Sequence, residues 1–232
     1  MTPLLDLKGI VKTFPSVRAL DGIDFTLLPG EVHVLLGQNG AGKSTLMKIL
    51  GGIQSHDGGT LAIQGQTIAT VTPEVAAANG IALVHQELCL VPSLSIAENI
   101  LLGRMPRRAG GMIDWPKAER IASDTLGRLG VSLDPRRPVG TLEVAGQQIV
   151  EIAKALARDP RIILFDEPTS ALSDSERGHL FRLIAALKAQ GVGIIYISHH
   201  LAEVPLIGDR VTVLRDGRVA AHLTAEGRTE RE

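Results

Sequence analysis

Gly37-Gln38-Asn39-Gly40-Ala41-Gly42-Lys43-Ser44 stands between an apolar run, Val32-His33-Val34-Leu35-Leu36, and a helical stretch from Lys43 to Leu50. It matches the pattern G-x-x-x-x-G-K-[ST] without a mismatch. A buried strand, a glycine-rich turn and a helix, in that order, let backbone N–H groups curl around a polyphosphate. The helix N-terminus adds its own partial positive charge. In such a loop Lys43 reaches the terminal phosphates and the Ser44 hydroxyl ligates Mg²⁺. Thr45 follows in the first helical turn and is grouped with the loop as a nucleotide-binding position.

Outward from the loop, the upstream chain reads as antiparallel β. Leu5 to Val11 is one strand, and Ile23, Phe25 and Leu27 alternate with Asp24 and Thr26 as a half-buried strand does. Pro29-Gly30 turns the chain into the strand before the loop, and Phe14 lies in this β region, where its ring can stack on a base. Downstream, Gly58-Gly59 and Gly65 bracket a short strand, Thr60 to Gln64, and Ile81–Val84 is a short buried strand ending at His85-Gln86.

The middle of the chain, 90–158, reads as a mainly helical insertion. Ser95-Ile-Ala-Glu98 is a capping box opening a helix through Leu102. Asp114-Trp115-Pro116 starts a second helix, with Ala118, Ile121, Ala122, Thr125 and Leu129 on one face. A third runs from about Val144 to Arg158, with Ile149, Ile152, Ala153 and Leu156 at helical spacing, and Asp159-Pro160 stops it. Strand–helix alternation then resumes: Ile162–Phe165 as strand, Glu176 to Gln190 as helix with Gly191 as its stop, Gly193 to Ile197 as strand, and Val211–Leu214 pairing with Arg218–Ala221 across Asp216-Gly217. The pattern predicts an α/β fold: a mostly parallel sheet with helices on both faces, an N-terminal antiparallel β part and an inserted helical part.

Acidic and polar side chains at strand ends carry the remaining chemistry. Asp166, at the carboxyl end of a buried strand, can hold Mg²⁺ bridging the phosphates, and Glu167 can act as general base toward water. Gln86 follows a strand end and can touch Mg²⁺ or the attacking water through its amide. His199 also follows a strand and can hydrogen-bond a phosphate oxygen, with His200 beside it as the rival.

Bulk composition narrows the classes. The 232 residues suffice for one large α/β domain, or one with an inserted subdomain. A formal charge of −1, from 24 basic and 25 acidic residues, gives no support to a nucleic-acid partner. Cys89 is the only cysteine, which excludes a disulfide framework and fits a reducing cytosol. No apolar run approaches the roughly 20 residues of a membrane span, and Asp6 and Lys8 break any signal-peptide pattern.

Taken together these residues resemble the nucleotide-binding domain of an ABC transporter, over nearly the whole chain. Gly37–Ser44 corresponds to Walker A, Ile162–Glu167 to Walker B with its glutamate, Gln86 to the glutamine loop and Ser170-Ala-Leu-Ser173 to the D-loop. Ser198-His199, with Glu203 four residues on, resembles the switch-histidine segment and favours His199 over His200. Lys12-Thr-Phe-Pro15 matches the adenine-stacking segment, making Phe14 the stacking ring. Val17-Arg-Ala-Leu-Asp-Gly22, Val84-His-Gln-Glu-Leu88, Leu94–Ile100 and Val150–Ala155 narrow the likeness to the ATP-binding subunits of bacterial monosaccharide importers, the ribose, xylose, galactose and rhamnose group.

The resemblance implies ATP and Mg²⁺ as cofactors, Lys43, Gln86, Glu167 and His199 as catalytic side chains, and Ser44, Gln86 and Asp166 at the metal. It implies a head-to-tail dimer with a second nucleotide-binding domain, transmembrane permease subunits, an indirect link to a periplasmic or extracellular sugar-binding protein, and a peripheral place on the cytoplasmic face of the membrane. In that group two such domains share one polypeptide, so this chain is expected to be the first half of a longer protein. The other readings are a non-transport ABC ATPase and a nucleotide-binding regulatory module with weak hydrolysis. One stretch departs from the family. The signature has the form L-S-G-G-Q, often L-S-V-A-Q in this group, and here Leu142-Glu143-Val144-Ala145-Gly146 aligns with it by its interval to Asp166, in preference to a register shifted by one that uses Ala145-Gly146-Gln147. Glu143 replaces a serine that donates to the γ-phosphate bound on the opposite domain; an ionised carboxylate cannot donate, and it adds negative charge where an anion must bind.

Overall fold

Leu5 and Leu7 point inward, but the next inward residues are Ile10 and Lys12, so the side-chain alternation of the first strand changes parity midway. The change is a β-bulge, a break in register between Leu7 and Ile10 where Gly9 donates its N–H to Asp24 Oδ1 at 2.7 Å. It lets one strand run unbroken from Leu5 to Phe14, longer than the sequence pattern suggests. The computed structural model describes residues 2–85, 88–170 and 172–224. These divide into two units, one of residues 1–83, 161–167 and 184–232, the other of residues 84–160 and 168–183.

The first unit holds two sheets. β1 (Leu5–Phe14) and β2 (Val17–Leu27) form an antiparallel hairpin, extended by β4 (Gly58–Ile63) and β5 (Gln66–Thr67) in the order β2-β1-β4-β5. The second sheet is built on β3 (Val32–Gly37), which lies parallel to both β8 (Gly193–Ile197) and β9 (Arg210–Arg215). β7 (Ile162–Asp166) pairs parallel with β8, β6 (Ile81–Val84) lies beyond β7, and β10 (Arg218–Thr224) closes the far edge antiparallel to β9. The β9–β10 turn is Asp216-Gly217, both at left-handed φ (50° and 74°), as a two-residue hairpin turn requires. α1 (Lys43–Leu50) buries Leu46, Met47, Ile49 and Leu50 in one apolar core with both sheets. A second helix, α2 (Pro73–Ala78), escapes the sequence reading: it buries only Ala76 and starts on a Thr72 cap with Pro73 in its first turn.

The strands near the middle of the larger sheet read as unbroken apolar runs because both faces are covered; Ile162 to Phe165 and Gly193 to Ile197 are buried throughout. A buried histidine lies in the same sheet. His33 is 1 % exposed; its Nδ1–H donates to Thr26 O at 3.0 Å, and its Nε2 accepts from the Thr212 hydroxyl at 2.7 Å. Burial and the nearby Arg210 guanidinium push its pKa down to about 3, so the ring is neutral.

In the second unit α3 (Ile96–Ile100), α4 (Trp115–Arg128) and α5 (Val144–Leu156) pack on one another. The capping box is present: Ser95 Oγ accepts the Glu98 N–H, and the Glu98 carboxylate accepts the Ser95 N–H at 2.8 Å. Asn99, 1 % exposed, ties the preceding loop to α3 by bonding both the N–H and the carbonyl of Val91. Asp114 caps α4 as expected, and Ala118, Ala122, Thr125 and Leu129 are buried on its inner face. α3 and α5 each end two residues short of their expected limits, α5 giving way to Asp159 at φ 45°. The unit also includes the start of α6 (Asp174–Ala189), beyond the 90–158 segment seen in the sequence. Leu180 and Leu183 line a small apolar cavity together with Ile149 and Ile152 of α5.

Candidate functional site

β3 delivers the chain to a turn that has no room for a side chain at Gly37 or Gly42. At Gly42 φ is 104°, and a Cβ there would lie 2.6 Å from the Ala19 carbonyl oxygen and 2.7 Å from a Leu20 methyl. Only glycine fits, and with it the loop can close directly onto Lys43. α1 begins there with no side-chain cap and no acidic residue in its first turn, so the first backbone N–H groups are left for an anion. Lys43 is only 6 % exposed, and its ammonium donates to the carbonyls of Gly37 (2.7 Å) and Gln38 (3.1 Å). It spans the loop from inside. Gln38, Asn39, Gly40 and Ser44 are exposed, Ala41 is buried and Thr45 is half-buried.

A second set of groups forms where β7 and β8 end side by side. Asp166 pairs with Ile197 across the parallel ladder, and the Glu167 N–H bonds the Ile197 carbonyl at 3.2 Å. Glu167 has φ 50°, a left-handed conformation that costs a non-glycine residue roughly 1–2 kcal/mol. Strain of that kind is concentrated where a side chain must be aimed. Here it accompanies a short contact: the His199 Nδ1 lies 3.2 Å from Glu167 Oε2. The imidazole is half exposed and the carboxylate mostly covered. His200 is also exposed, its ring 4.0 Å from that of His199, but it is His199 that meets the carboxylate.

The remaining predicted positions are placed as follows. Phe14 is half-buried at the tip of the β1–β2 hairpin, with the Lys12 ammonium 5.8 Å from its ring centre. Gln86 lies outside the described residues. Leu142 is buried, and Glu143 is the N-cap position of α5, its side chain making no capping bond. Val144 is exposed; Gly146 sits within the first turn, where a Cβ would lie 3.3 Å from that of Leu142. Ser173, at the end of the D-loop-like segment, exchanges reciprocal bonds with Glu176 at the start of α6. Among the described residues no cluster of three or more His, Cys, Asp or Glu could hold a metal ion. The Ser44 hydroxyl and the Asp166 carboxylate are hard oxygen donors of the kind Mg²⁺ takes singly, filling its shell with phosphate oxygens and water.

The family model described as ABC transporter matches residues 20–170. The chain belongs to the ABC transporter family. Its curated relatives include a ribose import ATP-binding protein of Rubrobacter xylanophilus, 54% identical over 99% of this chain and 46% of that protein. A putative ribose/galactose/methyl galactoside import ATP-binding protein of Burkholderia lata is 52% identical over 94% of this chain and 43% of that protein. The ABC chain therefore spans less than half the length of the curated relatives it matches. Among solved structures, a nucleotide-free ATP-binding cassette of an ABC transporter has a TM-score of 0.85 at 27% identity, covering 97% of this chain and 92% of the other. A dimeric ATP-binding cassette bound to ADP and phosphate has a TM-score of 0.84 at 25% identity, covering 97% and 100%. The fold of this ABC chain is thus that of an ATP-binding cassette.

Proposed function

We propose that this chain binds ATP with Mg²⁺ and hydrolyses it to power uptake of a monosaccharide through membrane permease subunits, from the cytoplasmic face. The observation that carries the reading is the pairing of an anion-ready glycine loop, spanned by Lys43, with the Glu167–His199 contact on neighbouring strands of one sheet. The sugar-import half of the reading leans on the names of the relatives.

In this scheme Lys43 exchanges the Gly37 and Gln38 carbonyls for phosphate oxygens, which accept charge-assisted bonds of greater strength. Ser44, Asp166 and Gln86 would hold Mg²⁺, which supplies neutralisation of phosphate charge when bound. Phe14 stacks on the adenine. Glu167 takes the proton of the attacking water. His199, with Nδ1 against the Glu167 carboxylate, orients that carboxylate and presents its other nitrogen toward the γ-phosphate.

We further propose that the working unit is an asymmetric head-to-tail dimer with a second nucleotide-binding domain. The site built on this chain's own loop is competent when the partner supplies a signature. The site that borrows Leu142–Gly146 from this chain is weak, because Glu143 puts a carboxylate where a hydroxyl donor is needed. The test is ATP turnover together with mass by light scattering, on the chain alone and mixed with a second nucleotide-binding domain. Turnover and ATP-dependent dimerisation only in the mixture support the asymmetric pair; robust turnover by the chain alone overturns it. A second reading, a nucleotide-binding regulatory module, is favoured by Glu143 alone and predicts tight ATP binding with no turnover in either sample.

A further inference from the structure

Three buried polar side chains lie behind the His199 loop with no part in the chemistry above. Tyr196, Ser198 and Glu203 are 0, 2 and 4 % exposed. The Tyr196 hydroxyl donates to Glu203 Oε2 at 3.0 Å, and the Ser198 hydroxyl donates to the same oxygen at 2.7 Å. Ser198 Oγ also accepts the His200 N–H at 2.9 Å. Glu203 Oε1 is buried with no hydrogen-bond partner among the described residues.

For stability alone this is a poor arrangement. Removing a carboxylate from water is costly, and a half-satisfied one recovers little of that cost. A buried apolar side chain of the same length would serve the core as well or better. What the carboxylate does offer is direction. Tyr196 is the penultimate residue of β8, which ends at Ile197, and Ser198 is the first residue beyond the strand. Drawing both hydroxyls onto one Glu203 oxygen anchors the chain on either side of the strand end. His199 follows this anchored pair at a bend, with its Nδ1 3.2 Å from Glu167 Oε2, and the Glu167 backbone is itself tied to the Ile197 carbonyl. The His200 N–H bond fixes the chain on the other flank of His199.

We propose that Glu203 is the positioning residue for His199: through Tyr196, Ser198 and the His200 amide it holds the loop in the path that sets Nδ1 of His199 against Glu167. The inference rests on the reading of Glu167 and His199 as the hydrolytic pair. It differs from a packing role because it acts through His199 and nothing else.

The test uses the chain together with the dimer partner that supports turnover. Glu203→Met removes the acceptor at similar length, and Glu203→Gln keeps a carbonyl acceptor. Loop misplacement should lower kcat about tenfold in Glu203→Met, with the KM for ATP within about twofold of the parent and an unchanged thermal midpoint. Glu203→Gln should keep more than about half the parent rate. In a His199→Ala background, Glu203→Met should cost nothing further. Parental kcat in Glu203→Met beside a crippled His199→Ala overturns the inference alone. A further loss of about tenfold in the His199→Ala background also overturns it. Parental turnover in His199→Ala itself overturns the pair and the inference with it. Should Glu203→Met fail to fold, Ser198→Ala carries the test, with a loss of kcat expected and parental kcat overturning.

Discussion

α1 and α5 both begin without a side-chain bond to their first turn, whereas α2, α3 and α4 are capped by Thr72, Ser95 and Asp114. At α1 the cap position is Gly42, and the open N–H groups face a loop with a lysine at its centre. At α5 the cap position is Glu143, an acid at the positive end of a helix. Such an acid stabilises its own helix by about 0.3–1 kcal/mol, and by the same charge it opposes a phosphate. One start is therefore arranged for an anion, and the other already carries one of its own. Two helices with the same backbone donors can thus differ in what they bind through one side chain.

The comparison can be broken at either end. The largest effect belongs to the loop side. Glu167→Gln should reduce turnover by roughly 10²–10⁴-fold while ATP binding persists; equilibrium binding of a fluorescent ATP analogue beside a phosphate-release assay separates the two, and near-parental turnover would count against the general-base role. On the α5 side, Glu143→Ser should raise turnover of the assembled dimer by about 10- to 100-fold at the site that borrows this helix, the value of a hydrogen bond to a charged group. No change there would mean that α5 is not the weak half.

Acid should act on the unit that carries the loop. The folded pKa of His33 is about 3, against an ordinary 6.5. Between those values the unfolded chain binds a proton that the folded one refuses. Stability is therefore full above pH 6.5 and falls as the pH drops toward 3, by about 1.4 kcal/mol per unit. Urea unfolding at pH 7, 6 and 5 measures the slope, and His33→Gln should flatten it. The smallest effect is in the second unit: Ser95→Ala should cost about 1 kcal/mol, seen in amide exchange over α3 with the first unit's exchange unchanged.

Legibility followed locality. The loop, the helix after it and the buried strands could be read because each depends on residues within a few positions: glycines at fixed offsets, apolar runs, a capping box at Ser95 and Glu98. α2 was missed because six residues burying one alanine leave no periodic trace. The β1 limit was missed because the bulge at Gly9 reverses the alternation that defines a strand. The second unit reaches past the 90–158 segment because Leu180 and Leu183 pack with α5 from beyond the intervening strand. At the site, Lys43, Asp166, Glu167 and His199 were all named from the sequence, yet the backbone strain at Glu167 and the Glu203 cluster were not. A left-handed φ on a glutamate leaves no compositional mark, and Glu203 stood only as a spacing from His199.

Residue order alone was enough to specify a phosphate loop between a strand and a helix, an acidic pair at a strand end and a carboxylate at the head of α5, since each is a matter of neighbours along the chain. That Glu167 meets His199, and that Tyr196, Ser198 and Glu203 share one oxygen behind it, depended on folding. The Glu167–His199 contact arises from the parallel register of β7 on β8, which joins residues 31 positions apart (Asp166 beside Ile197). Parallel register is set by the packing of both sheet faces at once, a non-local balance that no single stretch of sequence contains.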